Sequence, residues 1–302
     1  MNNLTITDVR SLPGDSAFLL DDGVTAVLYD SGFAFTGYQV ADNIAKVLGD
    51  RPLDYIFLTH SHYDHVLGVP CIRARYPGAV VVAGEYAHKI FSKPTARTHM
   101  REMDRKYARR CGIGAYEDRV DELRVDMAVK EGDVIHAGAM DFTVMELPGH
   151  TKCSVGFYLG SEKLLLGSET LGVYDGEETV VPSYLVGYEM TRNSIAKVEG
   201  VAVEQILLPH YGVLDREKTA FYLSQCRAGA EKMAAEIASI LRNGGTREEA
   251  VQHFRRTFYR GGIPDIYPED AMLLNTNIMV DLIERELLCG QPAAAPYSVE
   301  RV

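Results

Sequence analysis

The hydrophobic residues change their spacing near residue 214. Before it, short apolar runs alternate with turns, and such runs between turn residues predict β-strands. Asp21, Asp22 and Gly23 predict a hairpin turn between the first two strands. One helix is predicted at residues 38–48, closed by Gly49. The strands are predicted at residues 17–20, 25–29, 55–58, 79–83, 134–135, 141–147, 154–159, 163–166 and 205–208.

After this point, the apolar residues follow the spacing of helices. Thr246 with Glu249 predicts a capping box at the start of the second helix. Pro268 suits the first turn of a final helix that runs to about Leu288. The sequence therefore predicts an α/β domain at residues 1–214 and a helical extension at residues 215–302. The apolar positions of the first helix, predicted at residues 216–241, are Tyr222, Cys226, Ala230, Met233, Ile237 and Leu241.

Charge and cysteine content narrow the class of protein. The formal net charge is -11 at pH 7, which argues against a nucleic-acid partner because phosphate binding needs a basic surface. No apolar stretch approaches the roughly 18 residues of a membrane span, and the first residues do not have the pattern of a signal peptide. The five cysteines are odd in number and scattered, which indicates reduced thiols. We therefore expect a cytoplasmic protein without a membrane partner.

Three histidines and an aspartate follow the predicted strand at residues 55–58. Residues two apart in an extended chain face the same side, so His60 and His62 can bind one metal ion together. A turn into a helix after His62 would direct Asp64 and His65 toward a second ion. Imidazole and carboxylate are ligands that zinc and iron prefer. A polar surface loop is the alternative, but this density of histidines favours half of a two-metal site.

His150 and His210 lie in similar surroundings. Each follows an apolar strand and a proline, in Leu-Pro-Gly-His-Thr and Leu-Pro-His-Tyr-Gly. A single histidine of this kind is more often hydrogen-bonded or exposed than metal-bound. The repeated context favours metal binding by both.

These motifs resemble those of the metallo-β-lactamase-fold hydrolase superfamily, over residues 17–212. The most specific is Thr-His-Ser-His-Tyr-Asp-His, from Thr59 to His65. The resemblance implies the αββα sandwich of that family as a catalytic domain at residues 1–214. The other four elements occur in the family's order and are Leu-Tyr-Asp-Ser-Gly around Asp30, Pro-Gly-His-Thr at 148–151, Leu-Leu-Gly-Ser-Glu-Thr at 165–170 and Pro-His-Tyr-Gly at 209–212.

The resemblance also implies a ligand set. His60, His62 and His150 would hold the first metal, and Asp64, His65 and His210 the second. Asp30 would support the histidine loop through hydrogen bonds.

The element that normally bridges the two metals departs from the family's pattern. Family members usually have a Gly-Asp pair there, whereas this sequence has Gly167-Ser168-Glu169. Glu169 is the best candidate for the bridge, since its carboxylate lies one place later. Asp175 is a less favoured substitute, and a solvated surface glutamate is the alternative interpretation of Glu169.

The helical extension resembles the C-terminal helices of glyoxalase II-like thioesterases and of the quinolone-signal response protein, which cover the metal site. His253 and Tyr259 are candidates for lining a substrate pocket there, although helix packing explains each of them equally well. Tyr211 would place a phenol beside the metals, where it either touches substrate or packs. The basic segment at residues 93–110 could attract an anionic substrate, but a solvated helix face is the favoured interpretation.

The implied activity is that of a dinuclear metal-dependent hydrolase acting on a small molecule. A metal-bound hydroxide would attack a thioester, ester or lactone carbonyl, with Asp64 as the catalytic residue that orients the nucleophile. Two zinc ions are the expected cofactors, and iron or manganese would suit the same ligands. The alternatives are a phosphodiesterase of the same fold and a metal-containing signalling or binding protein with little turnover. The departure at Glu169 keeps the last alternative open, and no oligomeric state is predicted.

Overall fold

The structure is a computed structural model that describes residues 4–291. Contacts between residues divide this range into two units. The first comprises residues 4–146 and 155–166, and the second comprises residues 147–154 and 167–291. Within the described range, no helix has both the length and the apolar character that crossing a bilayer requires.

A mixed six-stranded sheet forms one layer of the first unit. Its strands are β1 (Thr5–Asp8), β2 (Phe18–Asp21), β3 (Ala26–Tyr29), β4 (Tyr55–Leu58), β5 (Val80–Gly84) and β6 (Met127–Val129). They lie in chain order across the sheet. The pairs β1–β2 and β2–β3 are antiparallel, and the pairs from β3 to β6 are parallel. Strands β2 and β3 are buried along their whole length, as expected when both faces of a sheet are covered.

Helices of the first unit follow the strands of this sheet. They are α1 (Gly37–Leu48), α2 (Tyr63–Val66), α3 (Val69–Arg75), α4 (Glu85–Phe91) and α5 (Pro94–Arg110). Helix α1 is amphipathic, and it buries Val40, Ala41 and Ile44 on one face. It meets α3 closely at its first residue, because a Cβ on Gly37 would lie 2.8 Å from the Cβ of Cys71.

A second, antiparallel sheet packs against the first. Its strands in the first unit are β7 (Val134–Ala137), β8 (Met140–Glu146), β9 (Val155–Leu159) and β10 (Leu164–Leu166), each paired with the next. The ring of Phe57 on β4 lies 5.1 Å from that of Phe142 on β8 and 4.7 Å from that of Phe157 on β9, between centroids. All three are fully buried, so the core lies between the two sheets.

The second unit combines two hairpins with helices. The hairpins are β11 (Val173–Tyr174) with β12 (Val180–Val181), and β13 (Gln205–Leu208) with β14 (Gly212–Leu214). Its own core is built around fully buried residues such as Tyr184, Ile237 and Phe254. The helices are α6 (Tyr188–Glu199), α7 (Arg216–Arg242), α8 (Arg247–Phe258), α9 (Ile263–Ile266) and α10 (Glu269–Ile283), which continues as a π-helical turn, Glu284–Leu288.

Most of the predicted elements are confirmed. The strands at 55–58 and 205–208 have the predicted bounds, and the helix at 38–48 begins one residue earlier than predicted. The capping box is present, since Thr246 Oγ1 accepts from the Glu249 N–H and Glu249 Oε2 accepts from the Thr246 N–H. In the described part of the chain, none of the five cysteines forms a disulfide. The functional division at residue 214 stays a prediction, and residues 292–302 of the predicted extension lie outside the described residues.

Candidate metal centre

Seven side chains can each offer one ligand atom to a metal ion. They are the seven ligands that the sequence predicts, and they come from both units. The first set, in the first unit, is His60, His62, Asp64 and His65. The second set, in the second unit, is His150, Glu169 and His210. Their role as ligands stays a prediction, and each set is built by its own local structure.

The first set follows strand β4 directly. His62 is the N-cap of α2, so the predicted turn into a helix after His62 is confirmed. The imidazole centroid of His60 lies 4.6 Å from that of His62 and 4.1 Å from that of His65. Asp64 Oδ2 lies 3.7 Å from His65 Nε2. His60 and His65 are buried, whereas His62 and Asp64 are half-buried. The strand-to-helix turn therefore gathers four ligating groups in one short segment.

Asp30 supports the first set from behind. Its side chain is fully buried. Its backbone has a left-handed φ of 54°. Oδ1 accepts from the Thr59 N–H at 2.9 Å, and Oδ2 accepts from Ser16 Oγ at 2.8 Å and from His65 Nδ1 at 2.7 Å. One carboxylate therefore holds both the start of the loop and the ring of His65.

The Nδ1 atoms of three histidines already have protein partners. His65 Nδ1 faces the Asp30 carboxylate, which only accepts hydrogen bonds when ionised, so Nδ1 carries the proton. His60 Nδ1 lies 3.0 Å from Thr59 Oγ1, and His150 Nδ1 lies 2.8 Å from Ser183 Oγ. Metal ligation by these rings would use Nε2, and bonds of this kind from Nδ1 are typical of ligating histidines. The donor chemistry of both sets thus fits divalent metal ions.

The residue before His150 must be glycine for steric reasons. Gly149 has a φ of 149°, and a Cβ on it would lie 2.2 Å from Thr191 Oγ1 and 2.8 Å from Thr170 Cγ2. The backbone N–H of His150 donates to Thr170 Oγ1 at 3.2 Å. The chain therefore needs glycine here to pass close to Thr170 and Thr191 while presenting the imidazole of the next residue.

Glu169 lies between the two histidines of its set. It begins a short 3-10 helix, Glu169–Leu171, and its exposed fraction is only 9%. The interpretation as a solvated surface glutamate is therefore wrong. Oε2 lies 2.9 Å from His150 Nε2, and Oε1 lies 3.4 Å from His210 Nε2. Each carboxylate oxygen faces a different imidazole, and the role of Glu169 as a bridge stays a prediction.

Asp175, the less favoured bridge, has a different role in the structure. Its Oδ1 accepts from the backbone N–H groups of Glu177 and Thr179, at 2.8 and 2.9 Å. These bonds stabilise the turn between β11 and β12. They account for the aspartate without a metal.

Tyr211 packs beside the β11–β12 hairpin. Its ring centroid lies 4.9 Å from that of Tyr174, and Tyr174 in turn contacts Tyr222 of α7, at 5.9 Å. The hydroxyl of Tyr222 donates to the carbonyl of Gly172 at 2.7 Å, just after the 3-10 helix of Glu169. The first helix of the predicted extension thus contacts the segment that carries Glu169. Packing explains Tyr211, and its substrate contact stays a prediction.

The other two predicted substrate residues have contacts between helices. His253 Nε2 lies 2.9 Å from Glu236 Oε2, which joins α8 to α7. Tyr259, at the end of α8, packs against the core of the second unit, and partial burial raises the pKa of its phenol. These contacts account for both residues by helix packing. Their role in a substrate pocket also stays a prediction.

The basic segment is mostly helix α5, and three of its arginines anchor the following loop. Arg97 donates to three main-chain carbonyls. Arg101 pairs with Asp118 at 2.8 Å and with Asp121 at 2.7 Å, and Arg105 pairs with Asp118 at 2.8 Å. The favoured interpretation as a solvated face is therefore incomplete, because these side chains connect α5 to residues 112–126.

Two hydroxyls that the sequence analysis did not identify orient predicted ligands or their support. Ser16 donates to Asp30, and Ser183 contacts Nδ1 of His150. Serine is common in loops, and Ser183 lies far from His150 in sequence, so no local pattern marks either residue. Only the folded chain brings them to their partners.

The fold and the ligand chemistry define a class: an α/β protein whose histidine and carboxylate side chains suit divalent metal ions. The chain belongs to the metallo-beta-lactamase superfamily, whose family model matches residues 13–210. This range includes all seven candidate ligands. The resemblance inferred from the motifs is therefore confirmed.

Individual relatives share only low sequence identity with this chain or match only part of it. A probable metallo-hydrolase of Streptococcus pyogenes is 23% identical over 68% of this chain and 79% of its own length. The hydroxyacylglutathione hydrolase of Stenotrophomonas maltophilia is 31% identical over 46% of this chain, but the match spans only 40% of that enzyme. A metallo-beta-lactamase family protein of Thermus thermophilus has a TM-score of 0.60 at 16% identity, covering 96% of this chain and 95% of its own. This structural likeness shows the fold alone.

Proposed function

We propose that this protein is a dinuclear metal-dependent hydrolase that acts on a thioester, ester or lactone carbonyl of a small molecule. The observation that carries the proposal is the placement of Glu169, whose two carboxylate oxygens face Nε2 of His150 and Nε2 of His210. A carboxylate with one imidazole on each side suits two neighbouring ions rather than one.

The proposed ligands combine both sets. His60, His62 and His150 would hold one ion, and Asp64, His65 and His210 the other, with Glu169 between them. Membership of the superfamily supports this combination, because the matching model extends through both sets. The Nδ1 contacts of His60, His65 and His150 support ligation through Nε2. Zinc is the proposed metal, since it favours a histidine-rich set.

Two bound ions would lower the pKa of a water molecule and polarise the carbonyl of the substrate. The side chains have separate tasks. Asp64 is half-buried beside His65, and its carboxylate is proposed to orient the nucleophile. Asp30 keeps the proton of His65 on Nδ1 and fixes the ring. Helix α7 contacts the segment of Glu169 through Tyr222, and the helical extension is proposed to cover the site.

A thioester is the favoured substrate within this class. Several relatives are named hydroxyacylglutathione hydrolase, and the helical extension resembles that of such enzymes. The matched part is less than half of each of these two relatives, so the acyl and thiol groups of the substrate are not carried over to this chain. A phosphodiesterase of the same fold is the outcome to test against.

The test combines metal analysis with turnover. We expect two zinc ions per chain and hydrolysis of thioester probes, with His62→Ala losing at least 100-fold in kcat/KM. Glu169→Gln should lower the metal content toward one ion. Glu162→Gln, at an exposed position, is the matched control and should leave both measurements unchanged.

Three results would count against the proposal. Faster hydrolysis of a phosphodiester than of any thioester or ester would indicate the alternative enzyme. Equal turnover by the wild type and His62→Ala would exclude a role for the metal site. Two bound metals without turnover of any carbonyl probe would indicate a binding protein.

A further inference from the structure

Helix α5 contains a buried carboxylate that the proposed chemistry does not use. Asp104 is fully buried, and both of its oxygens have hydrogen-bond donors. Oδ1 accepts from the backbone N–H of Ala34 at 2.9 Å, and Oδ2 accepts from the hydroxyl of Tyr116. Asp104 therefore joins three segments that are far apart in sequence: α5, the loop after β3 and the loop after α5.

The loop after β3, at residues 30–36, leads from Asp104 to the first set. Its Asp30 bonds Nδ1 of His65. Its Ser31 donates to the carbonyl of His65 twice, from the backbone N–H at 2.7 Å and from Oγ at 2.9 Å. The ring and the backbone of His65 are thus both held by this loop, and Asp104 holds the loop at Ala34.

A second buried carboxylate supports the same loop from another segment. Asp15 Oδ1 accepts from Thr36 Oγ1 at 2.7 Å and from the backbone N–H of Phe33 at 3.3 Å. The loop is also tightly packed, because a Cβ on Gly68 would lie 1.9 Å from the carbonyl oxygen of Ser31. Because Ser31 packs against Gly68 and bonds to the carbonyl of His65, we expect a shift of the loop at Ala34 to reach the backbone of α2.

We propose that Asp104 is a positioning residue that fixes His65 through the loop at residues 30–36. The inference rests on the proposed function, because the role of His65 as a ligand is itself proposed. The chemistry of the position supports it. Burial raises the pKa of Asp104 to about 7, and the neighbouring carboxylates of Asp118 and Asp15 also raise it, against the hydrogen bonds from Tyr116 and Ala34. Because burying a carboxyl group costs free energy, we infer that Asp104 is buried for its hydrogen bonds rather than for packing alone.

The experiment compares Asp104→Leu and Asp104→Asn with Tyr76→Phe. Asparagine keeps an oxygen for the N–H of Ala34, whereas leucine removes it at similar volume. Tyr76→Phe removes a buried hydroxyl elsewhere in the first unit and controls for the loss of a buried polar group that does not hold the loop. Zinc affinity, measured by competition with a chelator, should fall about 10-fold in Asp104→Leu, at the lower end of the effect of groups behind metal ligands. Asp104→Asn and Tyr76→Phe should stay within about 3-fold of the wild type.

A second measurement does not need metal. The Nδ1–H proton of His65 donates to a buried carboxylate, so its NMR signal should be observable in metal-free protein. We expect it in the wild type and in Asp104→Asn, but broadened or lost in Asp104→Leu. Asp104→Ser provides the same comparison if the leucine variant does not fold. A wild-type signal in whichever of Asp104→Leu and Asp104→Ser is measured would overturn the inference. Absence of zinc binding by the wild type would instead overturn the proposed function and leave the NMR comparison decisive.

Discussion

Among single residues, Asp30 holds the histidine loop both at its start and at the ring of His65. Its two oxygens accept from Ser16, from the backbone and hydroxyl of Thr59, and from His65. Asparagine would offer one oxygen and direct an NH2 group at donors. We predict that Asp30→Asn lowers zinc affinity about 10- to 100-fold, measured by chelator competition.

A matched control lies on the surface of the same unit. Asp141 contacts His136 Nδ1 at 2.8 Å in an exposed pair. Asp141→Asn should leave zinc affinity unchanged. Equal affinities of Asp30→Asn and Asp141→Asn would show that the buried pair does not support a ligand.

Asp104 predicts a pH dependence of stability. An unfolded aspartate ionises near pH 4, whereas the pKa of Asp104 in the folded chain is raised to about 7, mainly by burial. Between these values the folded state keeps a proton that the unfolded state has lost, so the free energy of unfolding decreases as pH rises. Asp104→Asn lacks this titration. Its stability relative to the wild type should therefore increase from pH 5 to pH 8 in urea unfolding, and a constant difference would contradict the argument.

The sequence identifies the candidate ligands more readily than the residues that hold them in place. His60, His62 and His65 are recognisable because metal binding requires ligands at fixed local spacing. Asp104 is not recognisable, because its partner Ala34 lies 70 residues away and an aspartate in a charged helix normally faces solvent. Hydrogen bonds between distant segments depend on the three-dimensional fold. The local spacing of hydrophobic and polar residues does not reveal them.

At the scale of elements, helices with local sequence signals are predicted, whereas a helix stabilised by a distant residue is missed. Helix α8 is predicted from its local capping box. Helix α6 is not, since its N-cap is Gly187 without a side-chain cap. Its first N–H groups instead donate to a distant carboxylate: Tyr188 N to Glu286 Oε1 at 3.1 Å and Glu189 N to Glu286 Oε2 at 3.0 Å. When the capping residue belongs to another helix, the sequence next to the capped helix contains no capping signal.

This distant cap gives a prediction for α6. A carboxylate that accepts two N–H groups at a helix N-terminus gains from both hydrogen bonding and the helix dipole. Glu286→Gln keeps one acceptor and loses the charge. We expect the free energy of unfolding to decrease by about 1 kcal/mol, measured by urea denaturation. The exposed substitution Glu162→Gln should change it by less than about 0.5 kcal/mol, and a similar small change in Glu286→Gln would show that water caps α6 equally well.

For the whole molecule, the net charge predicts whether an anionic substrate is attracted or repelled. The chain carries a formal charge of -11, and arginines of α5 such as Arg101 are paired with aspartates. An anionic thioester should therefore be repelled, and salt should screen that repulsion. We predict that KM for an anionic thioester decreases between low and physiological ionic strength, while KM for a neutral one is constant. An increase in KM with salt would instead favour attraction by the basic segment.

Metal binding should also change the stability of the whole protein, because ligands arranged by folding bind metal far better than the unfolded chain does. A site with zinc at 100 times its dissociation constant stabilises the native state by about 2.7 kcal/mol. This raises Tm by about 4 °C in a chain of this size, because its unfolding entropy is about 0.6 kcal/mol/K. We expect a chelator to lower Tm by that amount and zinc to restore it. Glu169→Gln should reduce the shift, because its carboxylate faces both His150 and His210. The exposed Glu162→Gln variant should show the full shift. If zinc raised Tm equally in both variants, Glu169 would not be a ligand, and the two-metal proposal would lose its central observation.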